Sequence, residues 1–170
     1  MQNQKVGIII QARVGSTRLK EKLKREFFNK KSLGQVVFEN LNSLSREFKT
    51  IVATTKNIED DYIEKIAKEN SFTVFRGSEN NVLSRFIKCA EASEIDVIVR
   101  VCSDNPFLQI DYIYELIRAH RQGDYDYTSF FLPDNTPVIK SHFGFFSEVV
   151  NLEALRRIRT LTNNEKYLEH

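Results

Sequence analysis

A chain of 170 residues is long enough for one domain with a sizeable core. Hydrophobic residues make up 41% and charged residues 28%, an ordinary globular balance. The formal net charge of +2 gives no whole-protein field for nucleic acid or a membrane surface. No apolar run is long enough to span a bilayer, and the polar start Met1–Lys5 lacks the core of a signal peptide.

The first element is a short β-branched run, Val6, Ile8, Ile9 and Ile10, which reads as a strand buried on both faces. A polar loop with Gly15, Ser16 and Thr17 follows. Ser32 is placed to cap a helix carrying Val36, Val37, Leu41, Leu44 and Phe48. Thr50–Thr54 is a second strand. Ile58–Asn70 has helical period, with Glu59, Asp60 and Asp61 in the first turn, where acid suits the helix dipole. Phe72–Phe75 is a third strand, and Ser78 is expected to open the next helix. Cys89 in that helix and Cys102 further on show no metal-ligand spacing and read as reduced core thiols, which suits a cytoplasmic protein. Asp96–Val101 is a fourth strand, leading through Cys102–Gln109 into a helix from Asp111 to about Gln122. His120 is expected on its solvated face. Beyond Asp124, Tyr125–Phe131 and Val138–Val150 read as strands, and Asn151 as the cap of a short helix.

Alternating strands and helices predict an α/β fold of three layers, Rossmann-like, with a mostly parallel central sheet. Ligands of such sheets bind where the loops leave the carboxyl ends of the strands. Gln11–Lys22, Thr54–Asn57 and Cys102–Pro106 are therefore expected to converge.

The first of these loops has the strongest chemistry. Gly15 and small hydroxyl residues just past a buried strand let backbone N–H groups turn toward an anion. Arg13, Arg18 and Lys22 add cations around the same cradle, a combination that suits a triphosphate. A solvated loop with scattered cations is the competing reading, because the spacing is neither that of a P-loop nor Gly-x-Gly-x-x-Gly. Asp104, in Ser103-Asp104-Asn105-Pro106, would face this loop and suits Mg²⁺, which takes one or two protein carboxylates and completes its shell with phosphate and water. A turn ahead of Pro106 accounts for Asp104 equally. Arg100, inside a strand, requires a partner such as a structural carboxylate. The histidines show no zinc or nucleophile pattern.

Taken together, Gln11 to Leu19, then Ala53-Thr54-Thr55, then Phe75 to Glu79, then Arg100 with Ser103 to Pro106 resemble one known family. It is the cytidylyltransferase family that includes a spore coat polysaccharide biosynthesis protein and the acylneuraminate and 3-deoxy-manno-octulosonate enzymes. The resemblance implies a GT-A-like fold over a single domain, 1–170, a CTP-type donor, Mg²⁺ and release of pyrophosphate. It places Arg13, Gly15, Ser16, Arg18 and Lys22 on the triphosphate. Gln11, Ala12, Thr54, Thr55 and Arg76 complete the nucleotide-binding set. Asp104 falls on the metal-binding acid and Glu148 on a late acidic motif that also contacts metal. Lys22, Arg18 and Asp104 are the catalytic set. Arg100, Lys140 and His142 are acceptor candidates. Lys20-Glu21 stands where Pro-Gly usually precedes the lysine, and Phe146 where an aspartate is often found. The family commonly continues beyond the length of this chain and forms homodimers.

The expected reaction joins a keto sugar acid to the nucleotide, giving a CMP-sugar. A sugar-1-phosphate guanylyl- or uridylyltransferase is a second reading, and a nucleotide-binding domain without turnover a third.

Overall fold

The computed structural model describes residues 4–15, 19–162, 164 and 168. Its centre is β1 (Val6–Gln11), flanked in parallel by β4 (Lys49–Thr55) and β6 (Val97–Cys102). The six-stranded sheet is completed by β5 (Thr73–Gly77), parallel to β4, and by β8 (Glu148–Asn151) and β7 (Tyr127–Thr128), which run antiparallel to their neighbours. The order is β5-β4-β1-β6-β8-β7.

Helices cover both faces, as side-chain alternation requires. Ile8 and Ile10 of β1, Val52 of β4, and Val97, Val99 and Val101 of β6 point to one core. That core is closed by α1 (Leu33–Leu41), α2 (Asp61–Glu69) and α4 (Ile110–Arg121). Ile9, Ile51, Ala53 and Ile98 point to the other, closed by α3 (Val82–Ala92) and α5 (Leu152–Leu161). Strands buried on both faces have no polar side, which explains the continuous apolar runs in the sequence.

Ser32 caps α1 as expected, within a full capping box whose other half is Gln35. Other expectations are corrected. The cap of α3 is Asn81, whose side chain accepts from Ser84 N at 2.7 Å. Ser78 instead stays in the preceding turn, where its hydroxyl accepts from Asn81 N. Tyr125–Phe131 and Val138–Val150 are strand only at Tyr127–Thr128 and Glu148–Asn151, and Val138–Lys140 is a single 3₁₀ turn. The aromatic residues that suggested strands there pack on α4 instead: Phe146 stacks on Tyr112 with ring centroids 5.2 Å apart, and Phe130 lies against both. A small hairpin, β2 (Glu26–Phe28) and β3 (Lys31–Ser32), was not expected. It turns on Asn29 and Lys30, both at positive φ, as tight hairpin turns require.

His120 is buried, against expectation. Its Nδ1 pairs with Thr128 Oγ1 at 2.8 Å and its Nε2 with Asn151 Oδ1 at 3.0 Å. Asn151 thus spends its side chain tying α4 to the sheet and makes no side-chain cap on α5.

Candidate active site

From β1 the chain steps outward in one direction to β4 and β5, then returns to the opposite side of β1 at β6. The sheet therefore has a switch point between β1 and β6, where loops leaving the two strands diverge and open a crevice. The walls of that crevice are the expected first loop and the Cys102–Pro106 loop. Ser103 N donates to Gln11 O at 3.1 Å, holding the two together at their base.

Across the crevice Lys22 Nζ donates to Asp104 Oδ2, an ion pair between residues far apart in sequence. Lys22 stands at the start of a 3₁₀ turn whose only buried residue is Leu23, and that leucine anchors the turn in the core. The turn begins at Glu21, which adopts φ 52°, a left-handed conformation that glycine holds without penalty. Glu21 belongs to the Lys20-Glu21 pair that stands where the family pattern has Pro-Gly.

The loop on the other side is fixed by Asp60, expected only as one of the acids that suit the dipole of the following helix. Asp60 is 1% exposed. Its carboxylate accepts from Val14 N at 2.7 Å, Thr55 N at 3.1 Å and Thr55 Oγ1 at 2.5 Å. It thus ties the phosphate-loop candidate to the end of β4. A carboxylate one turn beyond a strand end, within a run of exposed acids, carried no mark in the sequence to distinguish it.

Ala12 is buried and its N–H continues the ladder to Ala53 O at 3.3 Å. Arg13 is half-buried and Gly15 exposed. A Cβ on Gly15 would meet only Glu79 Oε1, at 3.7 Å. Glu79 also accepts from Asn57 Nδ2 at 2.8 Å, so the turn after β5 closes the third side. Thr54 is fully buried, and its Oγ1 has no partner among the described residues. Ser16 and Arg18 lie outside the described residues.

Other expected residues are placed elsewhere. Arg76 bonds Glu64 Oε2 at 2.7 Å and Asp61 Oδ1 at 2.6 Å, and reaches Asn57 O at 3.3 Å. It clamps the Thr55–Asn57 loop onto α2. Arg100 finds the structural carboxylate that its burial demanded: Glu148, at 2.6 Å, directly opposite on β8. Gln11 Oε1 accepts from Arg100 Nη2 at 3.1 Å, and the Tyr127 hydroxyl donates to the other Glu148 oxygen. Burial, reinforced by this carboxylate, pushes the Tyr127 phenol up to about 12. Glu148 is thus held in a closed network with Arg100 and Tyr127 on the α3–α5 face of the sheet. Lys140 and His142 are exposed on the segment leading to Gly144, which abuts the Asn105 side chain next to Asp104.

Among the described residues no three or more His, Cys, Asp or Glu side chains converge as a metal cage. A lone carboxylate, Asp104, facing Lys22 across the switch-point crevice still suits Mg²⁺, whose remaining positions phosphate oxygens and water would fill. Asp104 is the residue that would hold it.

The profile of the family described as Cytidylyltransferase matches residues 7–170. The chain belongs to the cytidylyltransferase family. Its relatives within and around that family include the spore coat polysaccharide biosynthesis protein SpsF of Bacillus subtilis, 35% identical over 168 residues, which cover 95% of this chain and 66% of that protein. A 3-deoxy-manno-octulosonate cytidylyltransferase of Rickettsia felis is 30% identical over 82% of this chain and 54% of its own length. The chain thus spans about two thirds or less of these curated relatives. Among solved structures, a cytidylyltransferase from Leptospira borgpetersenii superposes with a TM-score of 0.84 at 28% identity, covering 99% of this chain and 69% of that one. A CMP:2-keto-3-deoxy-manno-octonic acid synthetase complexed with CTP shares the fold, with a TM-score of 0.68 at 15% identity over 98% of this chain and 82% of that one. A cytidylyltransferase fold accounts for the three-layer architecture and for a crevice at the β1–β6 switch point. Among the described residues no helix is long and apolar enough to cross a membrane.

Proposed function

We propose that this chain carries the nucleotidyl-transfer site of a CTP-dependent enzyme that activates a sugar acid. The observation that carries the reading is the meeting of Lys22 and Asp104 across the switch-point crevice. It pairs a cation suited to phosphate with an acid suited to a divalent metal. The choice of a sugar acid as acceptor rests on relatives named for 3-deoxy-manno-octulosonate.

In this reading the acceptor hydroxyl oxygen forms a bond to the α-phosphorus as the bond from that phosphorus to the bridging oxygen of the leaving group breaks. The electron pair leaves with pyrophosphate, and the hydroxyl proton passes to solvent. Such transfers depend on positioning and on charges already in place. Lys22 and Arg13 neutralise the leaving pyrophosphate, with Arg18 added from the family pattern. Backbone N–H groups near Gly15 orient it. Asp60 holds Val14 and Thr55 in fixed relation, so the phosphate and nucleoside ends of the site keep their spacing. Mg²⁺ on Asp104, when bound, supplies charge to the phosphate oxygens.

The test is pyrophosphate release with each of the four nucleoside triphosphates against a panel of keto sugar acids and sugar 1-phosphates. Release with CTP and a sugar acid is expected. Turnover confined to GTP or UTP with a sugar phosphate would replace the reading, and no release from any pair would remove it.

A further inference from the structure

Arg85 is an unusual resident of the α3 face that packs on the sheet. Its neighbours there are Val82, Phe86, Ile87, Cys89 and Ala90, all apolar or small, yet Arg85 is 0% exposed. Its Nη1 donates to the carbonyls of Ser78 and Glu79. Nε and Nη2, which form the side edge of the guanidinium, are buried and have no partner among the described residues. A guanidinium carries N–H donors in a rigid fork and stays charged in proteins. Leaving two of its nitrogens unpaired in the interior is costly, and an apolar side chain would fill the space without that cost. Burial, and after it the nearby positive charge of Arg13, depress the Arg85 pKa, and the carboxylates of Asp60 and Glu79 offset that only in part.

Its place is as telling as its chemistry. A Cβ on Gly77 would come within 2.8 Å of Arg85 Cγ, so the side chain runs directly beneath the end of β5. Gly77 is the register partner of Thr55, which Asp60 binds. The unpaired edge therefore lies by the ends of β4 and β5, on the other side of β1 from the Asp104 loop that follows β6.

We propose that Arg85 determines base specificity, its Nε–H and Nη2–H taking the adjacent O2 and N3 acceptors of a cytosine ring. Two parallel donors match two adjacent acceptors. Uracil presents N3–H, a donor, at the same place and opposes the fork. Because Arg85 is buried, the ring reaches this edge only when the turn 78–81, whose carbonyls at Ser78 and Glu79 rest on Nη1, shifts aside. It is held by the Asn57–Glu79 bond and by Ser78 Oγ on Asn81 N. This inference rests on the nucleotidyl-transfer reading and deepens it.

Calorimetric titration of CMP, UMP, 3-deazacytidine monophosphate and pyrophosphate into wild type, Arg85→Lys and Arg85→Gln tests it. One bidentate base contact discriminates by roughly tenfold or more. Wild type is expected to favour CMP over UMP and over the 3-deaza analogue, which lacks the N3 acceptor, by about that factor. Both variants are expected to lose the preference while keeping their affinity for pyrophosphate. Folded variants that retain the preference would overturn the proposal. So would a parallel loss of pyrophosphate affinity, which points to a structural or phosphate role. Equal binding of CMP and its 3-deaza analogue by wild type overturns it even if the variants fail to fold. A wild type that binds neither CMP nor pyrophosphate removes the underlying reading, and this inference with it, a result distinct from the others.

Discussion

Lys22 and Asp104, one on each loop at the switch point, neutralise each other directly. A phosphate and a divalent cation would each compete for one member of that pair. The two side chains are about a quarter and two fifths exposed, so water screens them and the pair contributes on the order of 1 kcal/mol or less. Under the proposed function, nucleotide with its cation would therefore exchange partners at small cost: lysine to phosphate, aspartate to metal.

The exchange predicts effects of opposite sign from a single substitution. Lys22→Ala is expected to weaken pyrophosphate binding by roughly tenfold or more, while Mn²⁺ alone binds a few-fold more tightly because Asp104 is released. Calorimetry and Mn²⁺ electron paramagnetic resonance measure the two. Loss of both affinities together would show that the pair is only a loop brace.

Asp104→Asn keeps the shape of the side chain and removes its charge. Catalysis of pyrophosphate release is expected to fall by about 10²–10³. The stability of this partly exposed position should change by no more than about 0.5 kcal/mol. Denaturant titration alongside the kinetic assay separates this outcome from a turn defect, in which stability drops and turnover survives.

Asp60→Ala leaves Val14 N, Thr55 N and Thr55 Oγ1 without their shared acceptor in a buried place. Hydrogen bonds to a charged group contribute about 1.5–3 kcal/mol, so a loss of that order or more is expected. Nucleotide affinity should fall with it, since the two loops lose their common anchor. A stability change within about 0.5 kcal/mol in urea would contradict the anchoring role.

Glu21 holds a left-handed conformation at the entry to the Lys22 turn. Glu21→Gly relieves that strain, which costs roughly 1–2 kcal/mol for a residue with a Cβ, and in part offsets it by added freedom in the unfolded chain. A net gain of about 0.5–1 kcal/mol is expected, read as a rise in Tm. A fall in Tm would mean that the Lys24–Glu21 contact matters more than the backbone.

Alkaline stability follows from Cys89 and Tyr127. Burial pushes the Cys89 thiol from 9.0 to about 12, and the Tyr127 phenol from 10.0 to about 12. Each folded group holds its proton more tightly than the unfolded chain does. The stability so gained is complete below about pH 9 and is lost as pH rises toward 12. Cys89→Ala and Tyr127→Phe should each flatten that decline in denaturation curves taken from pH 8 to 11. An unchanged slope in both would refute the assignment.

The layers, the buried parallel strands and the crevice loops were legible because such strands and amphipathic helices write their pattern locally; the strand order was not. Arg100 announced its need for a carboxylate for the same reason, and Glu148 met it. Asp60 and Arg85 were not legible. What distinguishes each is its burial beneath another loop, and a charged residue on a helix period looks the same whether water or a strand end lies above it. The region after Asp124 misled because aromatic residues mark strands and packed turns alike. Tyr112, Phe130 and Phe146 are joined by contacts that no short window contains.

The central position of β1 has a consequence for the order in which the protein is made. This strand leaves the ribosome before the other strands of its sheet, yet its neighbour β6 ends roughly 90 residues later. At about 5–20 residues per second, on the order of 5–20 seconds pass before Gln11 meets Cys102. During that interval Ile8, Ile9 and Ile10 have no complete seat, and the nascent chain presents an apolar β-branched segment that chaperones are suited to hold. The crevice is therefore the last part of the β4-β1-β6 centre to be assembled, and under the proposed function nucleotide would select only chains whose synthesis has passed β6.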